Sequence, residues 1–211
     1  MRFSTVFFDL DDTLYPSSTG LWPLLKSRMS EYMRVQMGIP DEQIPVLREK
    51  YFREYGTTLR GLQANHQVDV VDFLAYVHDV PLRDFLTPDP LQRQAIASLG
   101  TRNLIFTNAD VPHARRVLAA LGLNDLFDAV VDVNAMEPWC KPMPEAFRLA
   151  MRVAGESDPG RCVMIDDLPH TTRAARQFGM YSVLYGCDGP HPDADACLSD
   201  WSRLPALLAS A

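Results

Sequence analysis

Residues 4–15 read STVFFDLDDTLY. The first half is a short run of β-branched and aromatic residues, which predicts a buried strand, and the second half opens into three aspartates within four positions. Similar runs recur as NLIFT (103–107), AVVDV (129–133), CVMID (162–166) and YSVLY (181–185). Between the later runs lie PLQRQAIASLG, VPHARRVLAALG, MPEAFRLAMRVAG and HTTRAARQFG, helical patterns that each end at glycine, a common helix stop. Strands that alternate with short helices imply βαβ units, hence an α/β fold with a mostly parallel sheet and helices on both faces.

The alternation breaks between Pro16 and Leu86. LWPLLKSRMSEYMRVQMG, QIPVLREKYFREYG, TLRGLQANH and VDVVDFLAYVHD place apolar residues three or four apart with no strand run among them. This predicts a helical insertion over 16–86, set into a core formed by 1–15 and 87–211. The prolines of LTPDP (86–90) mark its far border as a hinge. GCDGPHPDADA (186–196) reads as a surface loop before a last short helix.

The chain has 211 residues, 47% of them hydrophobic and 22% charged, enough apolar material for a sizeable core and too much spread charge for a membrane protein. Its first apolar stretch is too short to span a bilayer and no cleavage site follows it, so the expected location is the cytoplasm. Acidic residues outnumber basic ones, 27 to 20, for a net charge of −7, which argues against a nucleic-acid polymer or an anionic membrane as partner. Cys140, Cys162, Cys187 and Cys197 form no CxxC pair, and all four read as reduced thiols. Nothing in the sequence indicates an oligomeric state.

In a parallel sheet, ligands bind at the carboxyl ends of the strands, where Asp9 and Asp11 arrive from the first run and Asp166 and Asp167 from the fourth. An extended chain would point Asp9 and Asp11 to a similar side. Close carboxylates need a cation or a proton between them, and a donor set made only of oxygen suits Mg²⁺ rather than zinc. Thr107 and Asn108 end the second run near a helix start, an arrangement suited to phosphoryl oxygens, and Lys141 in CKPMPEAF offers a cation to neutralise them.

DLDDT (9–13), Thr107, Lys141 with Pro142, and the pair Asp166–Asp167 resemble, in order and position, the four motifs of the haloacid dehalogenase superfamily of phosphohydrolases. The resemblance implies a Rossmann-like core with a helical cap inserted after the first strand. It also implies Asp9 as the nucleophile that forms an aspartyl-phosphate, and Asp11 as general acid and base. Asp9, the backbone carbonyl of Asp11 and Asp166 would hold Mg²⁺, with Asp167 in the outer shell; Thr107 and Lys141 would bind the phosphoryl group. Members that cleave carbon–halogen bonds lack the second acid, which disfavours dehalogenation. The extended DLDDTLYPSSTG, the cap stretch YGTTLRGLQANH and LFD (126–128) are similar to the pyrimidine 5′-nucleotidase branch, which implies a nucleoside 5′-monophosphate such as UMP or CMP as substrate. Arg60 and His66 would then face the site from the cap, with Tyr15 near the hinge. Leu168 and Thr171 depart from the Ser and Asn usual in relatives, which bears on the support around Asp166. A sugar-phosphate phosphatase or phosphomutase, and a non-catalytic binding or regulatory module, are the competing readings.

Overall fold

The computed structural model describes residues 2–211. Six strands, β1 (Thr5–Phe8), β2 (Arg102–Phe106), β3 (Ala129–Val131), β4 (Cys162–Asp166), β5 (Tyr181–Tyr185) and β6 (Ala196–Leu198), form one parallel sheet in the order β3-β2-β1-β4-β5-β6. Strand order reverses direction about β1, so the crevice expected of such sheets opens beyond its carboxyl end. Phe8 stands opposite Ile105 on one side and Ile165 on the other, so the residues that follow each strand meet at one edge.

Side chains alternate across the sheet with period two. Phe7, Leu104, Phe106 and Met164 pack under α7 (Pro144–Ala154) and α8 (Pro169–Phe178), through Phe147, Ala150 and Ala175. Val6, Phe8, Ile105 and Ile165 face the other way, toward α5 (Pro90–Ala97), α6 (Val111–Leu121) and α9 (Leu204–Ala209). Both faces of β1 and β4 are therefore buried, which is why these strands read as unbroken apolar runs.

Between β1 and α5 lie α1 (Leu21–Val35), α2 (Ile44–Tyr55), α3 (Thr58–Asn65) and α4 (Val70–His78), with α1 packed on α4 and α2 on α3. The α2–α3 contact depends on Gly61, where a Cβ would fall 2.1 Å from the ring carbon Cγ of Tyr51. Two features depart from the sequence reading. Residues 196–198, where no strand was expected and the first of which closes the expected loop, pair with β5 as β6; three residues, of which only Leu198 is buried, are too few to stand out as a run. That pairing brings Cys187 and Cys197 to a Cα separation of 5.5 Å, and they form a disulfide, so the expectation of four thiols is corrected to two, Cys140 and Cys162, both buried. The cysteines thus lend no weight to a reducing compartment. Among the described residues no helix is long and apolar enough to cross a membrane.

Candidate active site

The backbone of Asp9 continues the ladder beyond β1, its N–H donating to the carbonyl of Ile165. This fixes Asp9 beside Asp166, the last residue of β4. Lys141 Nζ reaches between them and donates to Asp9 Oδ1 and Asp166 Oδ2, each at 2.6 Å. The other Asp166 oxygen accepts the Leu168 N–H at 2.9 Å, a bond from backbone that does not depend on the side chain at 168. Thr13, one helical turn beyond Asp9, donates from Oγ1 to Asp9 Oδ2 at 3.0 Å and accepts the Asp167 N–H at 3.1 Å. Thr13 was not singled out from the sequence, although its spacing of four from Asp9 in DLDDT was the available signal.

Asn108 uses its side chain to hold the lysine's segment: its amide donates to the Lys141 carbonyl and its oxygen accepts the Lys141 N–H. Thr107 is buried, its Oγ1 accepting the Ala109 N–H at 3.0 Å, and it lines the same cavity as Asp9 and Lys141. Thr171, the other departure noted in the sequence, is buried and lines that cavity too.

One ammonium faces three carboxylates here. Burial pushes the Asp9 carboxyl up to about 7, Asp166 adding to the rise and Lys141 opposing it. Asp167 is pushed up to about 8 by burial and then by the charges of Asp9 and Asp166. Lys141 is held protonated: burial disfavours its charge, but Asp166 and Asp9 more than offset that. Asp9, Asp166 and Asp167 each offer an oxygen within 4.8 Å of the others. An all-oxygen, charge-deficient cluster of this kind fits a hard divalent cation such as Mg²⁺. Asp167, expected in an outer shell, contributes to the same cluster.

Asp11 behaves differently. After Leu10 the chain leaves extended geometry, with the Leu14 N–H bonded to the Leu10 carbonyl and Asp12 at φ 60°, a left-handed conformation that aspartate tolerates. The Asp11 carboxylate therefore does not join the Asp9 group, contrary to the expectation from strand alternation. It accepts from the Tyr15 hydroxyl at 2.5 Å and lies 2.9 Å from His113 Nε2. Burial would raise its pKa, but His113 and Tyr15 together hold it below the ordinary carboxylate value. Asp11 still borders the cavity.

That cavity, about 560 Å³, lies between the strand edge and the helical segment. Trp22, Lys26, Arg48, Phe52 and Phe73 form its far wall. The sequence reading passed over these residues, because in a helix they look like ordinary apolar or surface positions. Arg60 and His66, which were expected to face the site, do not line it. The Arg60 side chain is buried and donates to the carbonyls of Val133 and Trp139 and to Gln63 Oε1. His66 caps α3 and bonds the Tyr51 hydroxyl at 2.8 Å. Tyr15 is buried under the turn that follows β1, with its hydroxyl on Asp11.

A parallel sheet with a carboxylate–lysine cluster at its switch point defines a class of α/β hydrolytic scaffold, and residues 3–179 match the haloacid dehalogenase-like hydrolases. The chain belongs to this family. It is 33% identical over 193 residues to Phosphate metabolism protein 8 of Saccharomyces cerevisiae, covering 85% of this chain and 60% of that one. It is 29% identical over 191 residues to a phosphoglycolate phosphatase of Neisseria gonorrhoeae, covering 84% and 78%. The chain thus spans less than two thirds of the yeast relative. Among solved structures it shares its fold with a HAD phosphatase from Thermococcus onnurineus (TM-score 0.64, 19% identity, 97% of both chains) and a 2-haloacid dehalogenase from Pseudomonas syringae pv. Tomato (TM-score 0.63, 23% identity, 99% of both).

Proposed function

We propose that the protein is a Mg²⁺-dependent phosphatase of small phosphomonoesters, with a nucleoside 5′-monophosphate such as UMP or CMP as its substrate. The observation that carries the reading is the convergence of Asp9, Lys141, Asp166 and Asp167 at one strand edge, with Thr107 and Asp11 opening on the same cavity. In this reading residues 16–86 are a cap over a core made of 1–15 and 87–211.

Asp9 Oδ attacks phosphorus in line with the ester oxygen, forming an aspartyl-phosphate as the P–O bond to the leaving group breaks. Lys141 and Thr107 hold the phosphoryl oxygens and offset their charge. Asp11 protonates the leaving oxygen; in the second half it accepts a proton from the water that attacks the aspartyl-phosphate, which releases phosphate and restores Asp9. Asp9, Asp166 and Asp167 would hold Mg²⁺, which would supply positive charge that keeps Asp9 ionised and polarises the phosphoryl group. The second acid at position 11 favours ester hydrolysis over dehalogenation, since an alkoxide needs a proton and a halide does not. For the nucleotide, the support is the aromatic wall of Trp22, Phe52 and Phe73 with the cations Lys26 and Arg48 beside it.

The test is a panel of UMP, CMP, phosphoglycolate, fructose 1-phosphate and p-nitrophenyl phosphate, assayed for phosphate release with Mg²⁺ and with EDTA. Mg²⁺-dependent release, fastest from UMP or CMP, is the expected result. Turnover of sugar phosphates without nucleotides removes the nucleotide assignment, and no release from any ester removes the phosphatase.

A further inference from the structure

Two side-chain donors from different elements converge on a single oxygen of Asp11. The Tyr15 hydroxyl, from the turn after β1, and His113 Nε2, from the first turn of α6, both meet Oδ1, and among the described residues no donor meets Oδ2. His113 is completely buried. Oδ1 accepts whether Asp11 is ionised or carries a proton on Oδ2, so the Nε2 that faces it is assigned the donor role, and the buried Nδ1 has no partner.

The His113 ring is itself held. His78, from the end of α4, stacks on it with centroids 4.1 Å apart and planes 17° from parallel. His78 Nδ1 lies 2.9 Å from Asp110 Oδ1, and that same oxygen caps α6 by accepting the His113 N–H. Arg116 fixes the end of α4 by donating to the carbonyls of His78 and Val80, each at 2.6 Å. A helix cap, a stacked ring and an arginine clasp thus leave the imidazole one orientation, and two donors on Oδ1 leave the carboxyl group one rotation.

We propose that His113 is a positioning residue for Asp11: with Tyr15 it pins Oδ1 so that Oδ2 is aimed at the leaving oxygen, and His78 of the helical segment locks it in place. The inference rests on the phosphatase reading above. Asp11, ionised in the resting protein, takes up a proton from solvent on Oδ2 as the phosphomonoester binds; as the ester P–O bond breaks and Asp9 bonds to phosphorus, that proton passes to the departing oxygen. The resulting Asp11 carboxylate keeps both donors on Oδ1, and it later takes a proton from the attacking water. A buried histidine with only a packing role would leave that proton transfer untouched.

Leaving-group dependence separates the two roles. In kcat/KM, which ends at release of the alcohol, an alkyl ester needs the proton and p-nitrophenyl phosphate hardly does. His113→Leu should lower kcat/KM about 10²-fold for the fastest alkyl ester of the panel and no more than about threefold for p-nitrophenyl phosphate. His113→Gln, which keeps a donor at similar reach, should recover most of the alkyl-ester rate. Tyr15→Phe should show the same selective loss to a smaller degree, and these two variants carry the test if His113→Leu does not fold. Equal losses on both esters, or a Gln variant no better than Leu, would overturn the assignment. Wild-type protein inactive on every ester would instead remove the reading on which it rests.

Discussion

Around Asp9, charged side chains arrive at a common point from strand ends and the loop between β3 and α7, and every one of them meets a partner that is also functional in type: Lys141 on Asp9 and Asp166, Thr13 on Asp9. Around Arg60, in the helical segment, a buried cation meets backbone carbonyls, a glutamine and, at 4.0 Å, the Glu137 carboxylate. The first arrangement leaves negative charge uncompensated and opens on a cavity; the second is saturated and closed. Burial and charge alone do not mark a binding residue. What marks it is unsatisfied capacity facing an accessible space, and Arg60 has none.

The stretch YGTTLRGL (55–62) takes its character from this second arrangement. Gly56 ends α2 at φ 83°, where a Cβ would lie 2.7 Å from Cys140 Sγ and 3.1 Å from the Lys141 carbonyl. Cys140 Sγ in turn donates to the Tyr55 carbonyl at 3.2 Å. Through Arg60, Gly56 and Tyr55 the segment therefore clasps residues 133–141 and steadies the loop that delivers Lys141, while Gly56, Thr57, Thr58 and Leu59 of the same stretch line the cavity.

The contrast can be broken at either end. The largest effect is expected at the strand edge: Asp9→Asn should lower phosphate release about 10⁴-fold or more while the protein stays folded, read by phosphate assay and circular dichroism. Retained activity would dismiss Asp9 as nucleophile. Next comes the clasp. Arg60→Ala should cost about 2–3 kcal/mol in unfolding free energy, because buried carbonyls lose a charged donor, and should raise KM for UMP and for p-nitrophenyl phosphate alike. A selective rise for UMP with unchanged Tm would restore Arg60 to the substrate.

The smallest effect concerns pH. Asp9 and Asp167 titrate near 7 and 8 in the folded protein, above the ordinary value of 3.8. The folded state therefore binds more protons than the unfolded one across that window, and metal-free stability falls as pH rises through it. Tm in EDTA should drop by a few degrees from about pH 5 to about pH 8, and Mg²⁺ should raise Tm more at the higher pH, where protons no longer occupy the carboxyls. An equal Mg²⁺ shift at both pH values would place the cation elsewhere.

Much of the core site was legible in the chain. Short apolar runs ending in Asp9, Thr107 and Asp166 indicate strands and their chemistry at once, because parallel register carries consecutive strand ends to one edge whatever the details of packing. The direction of Asp11 was not legible, since it depends on a turn at Leu10–Leu14 that strand alternation does not anticipate. Nor was His113, which lies 102 residues from Asp11 and within an ordinary helix start. β6 and the Cys187–Cys197 bond escaped for a similar reason: both depend on a neighbour strand, not on local pattern.

The amino-acid sequence by itself determined the α/β alternation, the helical insertion after the first strand and the carboxylates and lysine of the strand edge, since these follow from hydrophobic period and topology. Tertiary structure alone decided the reach of long side chains on helices. Arg60 finds its carbonyls 73 and 79 residues away, and the wall of the cavity falls instead to Trp22, Arg48 and Phe52. The physical reason is that a strand end has one place to go, whereas a helical side chain points wherever the packing of its helix turns it.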